Sequence, residues 1–420
     1  MKKLKRTLAF LLSATLLGCG GGGGGSSTPS GGPTRYEDSW PIYAALAPGV
    51  SSYANKNDTR IVRSQIDDIR ALGITLDANE SNSVASSLTL GDFYQEGQLS
   101  SFVVVNRGAG QVGKVYFLRW KDGTKWVDDT ARILSNRNAC IASQYAITAD
   151  FNHDGKPDVF LSCGGGSEEE QLIFLSSPSS SSYSRVSTGI VIKGNRAAAA
   201  DLDGDSYPDV VLSNKEGVSN PSSVLVLKGG GDGKFVNPPT SWLTNCTTSS
   251  GSFTPQEIPV KVDQVFLVPT TGGRTDLIVS GESGAGAKNQ MWFRNQGRAP
   301  YFTNCENTAT SAKLFSASLV NSSDAVLTDV FYSTLSGTSS LYAYMQTSNG
   351  TVAGLQKFVI QNDATLNLNL LSNVFTAPTQ PSSGFPSMFR LNSSNQLIPF
   401  DASCGGVAAG TRCGLTFTLQ

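Results

Sequence analysis

Unbroken apolar triplets closed by a serine mark this chain, as in Val159-Phe160-Leu161-Ser162 and Val210-Val211-Leu212-Ser213. Strict alternation would mark a strand with one wet face, whereas a short continuous apolar run bounded by turn residues fits a strand buried on both faces. Looser copies of the triplet occur at Asp276-Leu-Ile-Val-Ser, Asp329-Val-Phe-Tyr-Ser, Ser101-Phe-Val-Val-Val and Asn373-Val-Phe-Thr-Ala. Roughly fifteen residues after each comes a second β-type run. These runs begin at Lys114, Gln171, Ser222, Asn289, Ser339 and Ser387. The pattern predicts six repeats, their triplets separated by 44 to 67 residues. Glycine-rich turns such as Gly229 to Val236 predict a further hairpin, giving four strands per repeat. Helical spacing occurs over Asp58 to Leu72, at Ile61, Ile66, Ile69 and Leu72, and predicts a helix there.

Units of this size cannot bury both faces alone, so radial stacking into a ring is the expected architecture. The predicted fold class is all-β, a β-propeller of six or seven four-stranded blades. A seventh blade could combine Trp40 to Leu46 with the closing run at Gly414 to Leu419.

The amino terminus reads differently. Lys2, Lys3, Lys5 and Arg6 precede the apolar run Leu8 to Leu17, an export signal too short to span a bilayer. Residues 1–18 are the predicted signal peptide, and 19–35 the predicted tether, rich in Gly and Ser. The folded part is expected over 36–420. The stretch Leu16 to Cys19 resembles the bacterial lipobox, which implies acylation of Cys19, export and a lipid anchor in the cell envelope. Gly20 in place of aspartate points to the outer membrane. Removing the signal leaves 28 basic residues against 33 acidic, so nothing favours nucleic acid as a partner.

Six further cysteines, Cys140, Cys163, Cys246, Cys305, Cys404 and Cys413, make an even count in an exported chain and predict disulfides. Cys140 and Cys163 flank one predicted hairpin, Cys404 and Cys413 lie close together, and Cys246 is left with Cys305.

Acidic loops precede the two strongest triplets. Counting from Asp150 and from Asp201, oxygen donors stand at positions one, three, five and nine, and position seven can add its carbonyl. The two sets are Asp150, Asn152, Asp154, Lys156 and Asp158, and Asp201, Asp203, Asp205, Tyr207 and Asp209. All-oxygen sets of this kind suit calcium (Ca2+). Position twelve holds Leu161 or Leu212, where an EF-hand needs a bidentate Glu. The D-x-[DN]-x-D-x-x-P-D pattern before an apolar strand instead resembles the FG-GAP or VCBS repeat of integrin-α-like propellers. That resemblance, over about 80–400, implies structural calcium in both loops. The loop at Asp92 keeps Asp92 and Glu96 and is read with an extra residue before Ser101. The loops ending at Asp276 and Asp329 are expected to bind no metal.

Enzymatic signatures are sparse. His153, the only histidine, occupies position four of the first acidic loop, and no Gly-x-Ser-x-Gly elbow occurs. Glu168, Glu169 and Glu170 read as a solvated loop, and Trp120, Trp126, Trp242 and Trp292 as blade packing. The expected function is a tethered binding or adhesion module for a protein or glycan at the cell surface. The alternatives are a polysaccharide lyase or hydrolase, and an envelope scaffold.

Overall fold

The computed structural model describes residues 84–96, 100–108, 110–121, 125–164, 166–214, 224–236, 243–244, 259–269, 274–283, 288–297, 302–303, 325–333, 340–347, 353–362, 367–377, 389–391, 396–399 and 417–418. By backbone proximity the chain divides into Met1–Pro33 and Thr34–Gln420, and every described residue lies in the second unit. The signal, Cys19, the tether, the helix expected over Asp58 to Leu72, and Trp40 to Leu46 all lie outside the described residues.

The described chain is all-β apart from one short helix. The first sheet contains β1 (Val84–Gly91), β2 (Ser100–Asn106), β3 (Lys114–Lys121) and β4 (Lys125–Asp128), followed by helix α1 (Thr130–Ile133). The second contains β5 (Ser143–Ala149), β6 (Asp158–Cys163), β7 (Glu169–Ser176) and β8 (Tyr183–Ile192). The third contains β9 (Gly194–Ala200), β10 (Asp209–Asn214), β11 (Val224–Gly229) and β12 (Phe235–Val236). In the fourth, β13 (Leu243–Thr244) pairs in parallel with the last of β14 (Pro259–Pro269), β15 (Thr275–Ser283), β16 (Lys288–Asn295) and β17 (Phe302–Thr303). The fifth is β18 (Ala325–Ser333), β19 (Ser340–Thr347), β20 (Ala353–Asn362) and β21 (Asn367–Ala377). The last described strands, β22 (Phe389–Leu391), β23 (Gln396–Pro399) and β24 (Phe417–Thr418), form a three-stranded sheet.

Each of the first three sheets is a simple antiparallel meander, with its strands adjacent in chain order. Their leading strands touch in succession: β1 lies against β5, β5 against β9, and β9 against β14. Thr89 and Thr148 share a hydroxyl hydrogen bond of 2.8 Å across the first contact. Farther on, the Arg196 guanidinium of β9 lies over both the Tyr145 ring of β5 (4.9 Å) and the Phe266 ring of β14 (4.4 Å). Such cation–π stacking is strongest where water is excluded, and Arg196 is buried.

Double-sided burial follows from this arrangement. Along β6, Val159 and Leu161 enter a core shared with Phe93, Phe102 and Phe117 of the first sheet. Phe160 points the other way, into a core with Val210 and Leu212 of the third. In turn Val211 of β10 packs with Leu277 and Val279 of β15. Neighbouring positions of each triplet therefore serve different cores, which is why the runs do not alternate with polar residues.

Two expected repeats coincide. The copy at Asp329 lies in β18 and the copy at Asn373 in β21, so both belong to the fifth sheet. The apolar runs there lack the loop acids that fix position in the earlier sheets, and such a run alone specifies register weakly. The closing run at Gly414 to Leu419 supplies β24, which pairs with β23.

One disulfide joins Cys140, just ahead of β5, to Cys163 at the end of β6, with Cα atoms 5.8 Å apart. Cys246, Cys305, Cys404 and Cys413 lie outside the described residues. With its ends separated by 23 positions in sequence, the Cys140–Cys163 bridge should contribute about 3 kcal/mol by restricting the unfolded chain. The double variant Cys140→Ala, Cys163→Ala should lose that amount in urea unfolding, while a loss below about 0.5 kcal/mol would show the bridge to be dispensable.

Candidate metal-loop site

The acidic loops join the leading strand of a sheet to the second: Asp150–Asp158 links β5 to β6, and Asp201–Asp209 links β9 to β10. Strand pairing aligns them, because Ala149 faces Asp158 as Ala200 faces Asp209. In the first sheet Gly91 faces Ser100, which makes Asp92–Ser100 a third loop of the same nine residues. The extra residue expected before Ser101 is therefore not there; Ser100, and not Ser101, occupies position nine.

Backbone geometry repeats as well. Position four has positive φ in all three loops, at Gln95 (56°), His153 (57°) and Gly204 (84°). Position six does so at Gly155 (81°) and Ser206 (73°). The turn is held by position one, whose carboxylate accepts inward backbone donors. Asp150 accepts the N–H groups of Asp154 (3.0 Å) and Gly155 (2.8 Å), Asp201 those of Gly204 (2.7 Å) and Ser206 (2.9 Å), and Asp92 that of Glu96 (2.9 Å). Gly155 and Gly204 take the left-handed conformation without steric cost, while at Gln95, His153 and Ser206 it is held within a turn that the position-one carboxylate closes.

Position nine does a different job. Asp158 is fully buried; one of its oxygens accepts Phe151 N (2.8 Å) and Asn152 N (3.0 Å), the other Ser176 N (2.7 Å) and the Ser176 hydroxyl (2.8 Å). It thereby ties the loop and β6 to the end of β7. Asp209 repeats the tie with Leu202 N (2.9 Å) and Gly229 N (2.8 Å). Gly229 is a glycine for a local reason, since a Cβ there would overlap the Pro208 carbonyl. Asp276, with no acidic loop before it, still accepts Asn295 N (2.8 Å) from β16 and the Trp292 indole N–H (2.9 Å). Ser100 retains half of the tie, accepting Phe93 N at 2.9 Å.

Burial pushes the Asp158 carboxyl up to about 7, against the Ser176 and Asn152 donors that favour its charged form. Asp209 is likewise pushed up to about 7 by burial. Asp150 is raised by burial too. A nearby cation would supply what burial withholds from these carboxylates.

The donor chemistry of both full loops fits a hard cation, with carboxylate and amide oxygens and no nitrogen or sulfur. Carboxylate oxygens of Asp201, Asp203 and Asp209 lie within 4.8 Å of one another, close enough for one ion. Around Asp150, Asn152, Asp154 and Asp158 the side-chain partner brought in from β7 is neutral: the Ser176 hydroxyl lies 3.0 Å from both oxygens of Asp154. Lys156 turns its ammonium away, onto the carbonyls of Ser177 (2.7 Å), Ser180 (3.0 Å) and Pro178 (3.3 Å). In the third sheet the partner is charged, because the Lys228 ammonium bonds Asp203 and, at 2.8 Å, Asp205. Burial would raise Asp205, but Lys228 holds it below the usual carboxylate range. Sequence reasoning missed Ser176 and Lys228; each sits at the end of a second β-type run, where the apolar pattern stops.

Other flagged residues have structural partners. His153 is exposed at its turn, with its ring edge-on to Tyr207 at 5.2 Å, so the two loops touch. Glu169 and Glu170 are not part of a solvated loop: they begin β7, where the Glu169 carboxylate accepts Ile141 N (2.8 Å) and Ala142 N (2.9 Å) and Glu170 takes the Ser187 hydroxyl. Glu168 is exposed. Trp292 is fully buried; Trp120 and Trp126 stand opposite one another in the backbone register of β3 and β4, and Trp242 lies outside the described residues. No family model matches the chain, and no curated protein matches it.

Folded carboxyls near 7 against an ordinary 3.8 bind protons more tightly than their unfolded counterparts. Their contribution to stability is therefore present below about pH 3.8 and is lost as pH rises through about 7. In chelator, the melting temperature should fall over that range more steeply for the native chain than for Asp158→Asn, Asp209→Asn, and added calcium should rescue it increasingly toward pH 7. Equal slopes for the two chains would refute this.

Proposed function

We propose that this chain is an exported lipoprotein whose folded part is a β-propeller of the FG-GAP or VCBS kind, stabilised by calcium. In this reading it serves as a binding or adhesion module for a protein or glycan at the cell envelope. The observation that carries the reading is the succession of meander sheets with leading strands in contact and a hydrophobic core on each side. Radial blades need that stacking, and their leading strands would line the ring.

The acidic loops support the calcium part. Extracellular modules commonly bind calcium at about 10⁻⁴ to 10⁻³ M, which suffices for a staple. Asp150, Asn152, Asp154 and Asp158 would hold the ion, with the Lys156 carbonyl as a further ligand; the ion would neutralise carboxylates that burial leaves costly to charge. Loops fixed in this way present rigid surfaces between sheets, the property that a binding face needs. The lipobox resemblance at Leu16 to Cys19 supplies the anchor, and the Gly/Ser tether the reach.

Two measurements test the reading together. Millimolar calcium should raise the melting temperature of the mature chain by several degrees, and Asp154→Ala should abolish the rise. Labelling of growing cells with a fatty acid should mark the native chain but not Cys19→Ala. A calcium-insensitive melt would remove the metal from the proposal, and an unlabelled native chain would remove the anchor.

A further inference from the structure

The strand pairing places one residue of the third strand opposite position nine in each of the first four sheets. In the first sheet Arg119 faces Ser100. In the second, Val159 faces Phe174, so Leu175 falls opposite Asp158. In the third, Val210 faces Leu227, which puts Lys228 opposite Asp209. In the fourth, Leu277 faces Phe293 and Arg294 falls opposite Asp276. Three of the four are basic, and the second sheet alone has an apolar residue there.

The basic residues of the first and third sheets reach into their own loops. Arg119 pairs with Glu96 at position five, at 3.4 Å, and Arg132 adds a contact of 3.0 Å to the same carboxylate. Lys228 pairs with position five, Asp205, and also with position three, Asp203. Their remaining oxygens accept loop amides: Asp203 accepts Asp205 N at 3.2 Å and Asp205 accepts Tyr207 N at 2.9 Å. Among the described residues, no ammonium or guanidinium is paired with Asp150, Asp154 or Asp158.

We infer that Lys228 serves as the built-in cation of the Asp201–Asp209 loop and keeps a divalent ion out of it, so that of the two full acidic loops only Asp150–Asp158 takes a metal. This rests on the calcium reading proposed above and narrows it. Long-range charge does not decide the matter. Residues 150–158 carry three Asp and Lys156, a net −2 with His153 neutral, and Leu175 adds nothing; residues 201–209 carry four Asp, a net −4, or −3 with Lys228, so net charge alone would favour an ion in the third-sheet loop. The difference is local. An ammonium on the oxygens at positions three and five occupies two donors that a hard cation needs, and a divalent ion among them would stand within a few ångströms of a like charge. The proximity of Asp201, Asp203 and Asp209 then reflects a pocket collapsed around lysine.

The test counts bound calcium by equilibrium dialysis on the full mature chain carrying Asp154→Ala, which disables the second-sheet loop. That chain should bind no ion that a further Asp205→Ala, the same position-five change in the third-sheet loop, removes. Adding Lys228→Leu, the residue type of the second sheet, should create one new site per chain, lost again with Asp205→Ala. Lys228→Gln, which keeps most of the stem and drops the charge, should do the same, and circular dichroism establishes that each variant is folded. An ion in the Asp154→Ala chain that depends on Asp205 would overturn the inference, as would folded Lys228 variants that gain no site. Failure of the calcium reading looks different: the native chain would then lose no ion on Asp154→Ala, whatever the Lys228 variants do.

Discussion

In the second, third and fourth sheets a buried carboxylate at the start of the second strand, or just inside it, holds separate backbone segments together. Asp158 and Asp209 each bond the loop that enters the second strand and the last residue of the third, and Asp276 keeps the bond to the third strand without an acidic loop. Hydrogen bonds to a charged acceptor are worth about 1.5–3 kcal/mol, and a buried donor left without its partner costs a comparable amount. The register of strands one, two and three is thus fixed at one corner, and the side chains beyond it fall alternately into two cores. Shifting that register by one residue would exchange the cores served by Val159 and Phe160.

Acids at the remaining loop positions depend on that corner. Position one shapes the turn through its own amides, while positions three and five converge on whatever cation the sheet provides. The first sheet provides Arg119 and Arg132, and the third provides Lys228. The second provides only a serine hydroxyl. Among the described residues, two of the three loops are thus closed by basic side chains of the chain itself, and the Asp150–Asp158 loop is not. The His153–Tyr207 ring contact brings the second and third loops side by side, so ordering one constrains its neighbour.

Much of this was legible in the sequence, and the reasons differ from place to place. The triplets at Val159 and Val210 read as strands buried on both faces, and they are, because double burial leaves no polar position in the run. The Cys140–Cys163 pairing followed from the hairpin between them. Ser100 was displaced by one position, since a serine at position nine gives no acidic signal and only strand pairing reveals it. The copies at Asp329 and Asn373 were assigned to separate repeats for want of loop acids to anchor them. Ser176 and Lys228 were invisible because they approach the loop from a strand some twenty residues away.

Native-state hydrogen exchange of the amides of Phe151, Asn152 and Ser176 tests the central claim most directly. If Asp158 is the tie, these amides exchange only through large-scale opening in the native chain. In Asp158→Ala all three should then lose protection together, with that of Leu202 and Gly229 retained. Undiminished protection at Ser176 in that variant would contradict the account, because the end of β7 would then be held to the loop by something other than the buried carboxylate.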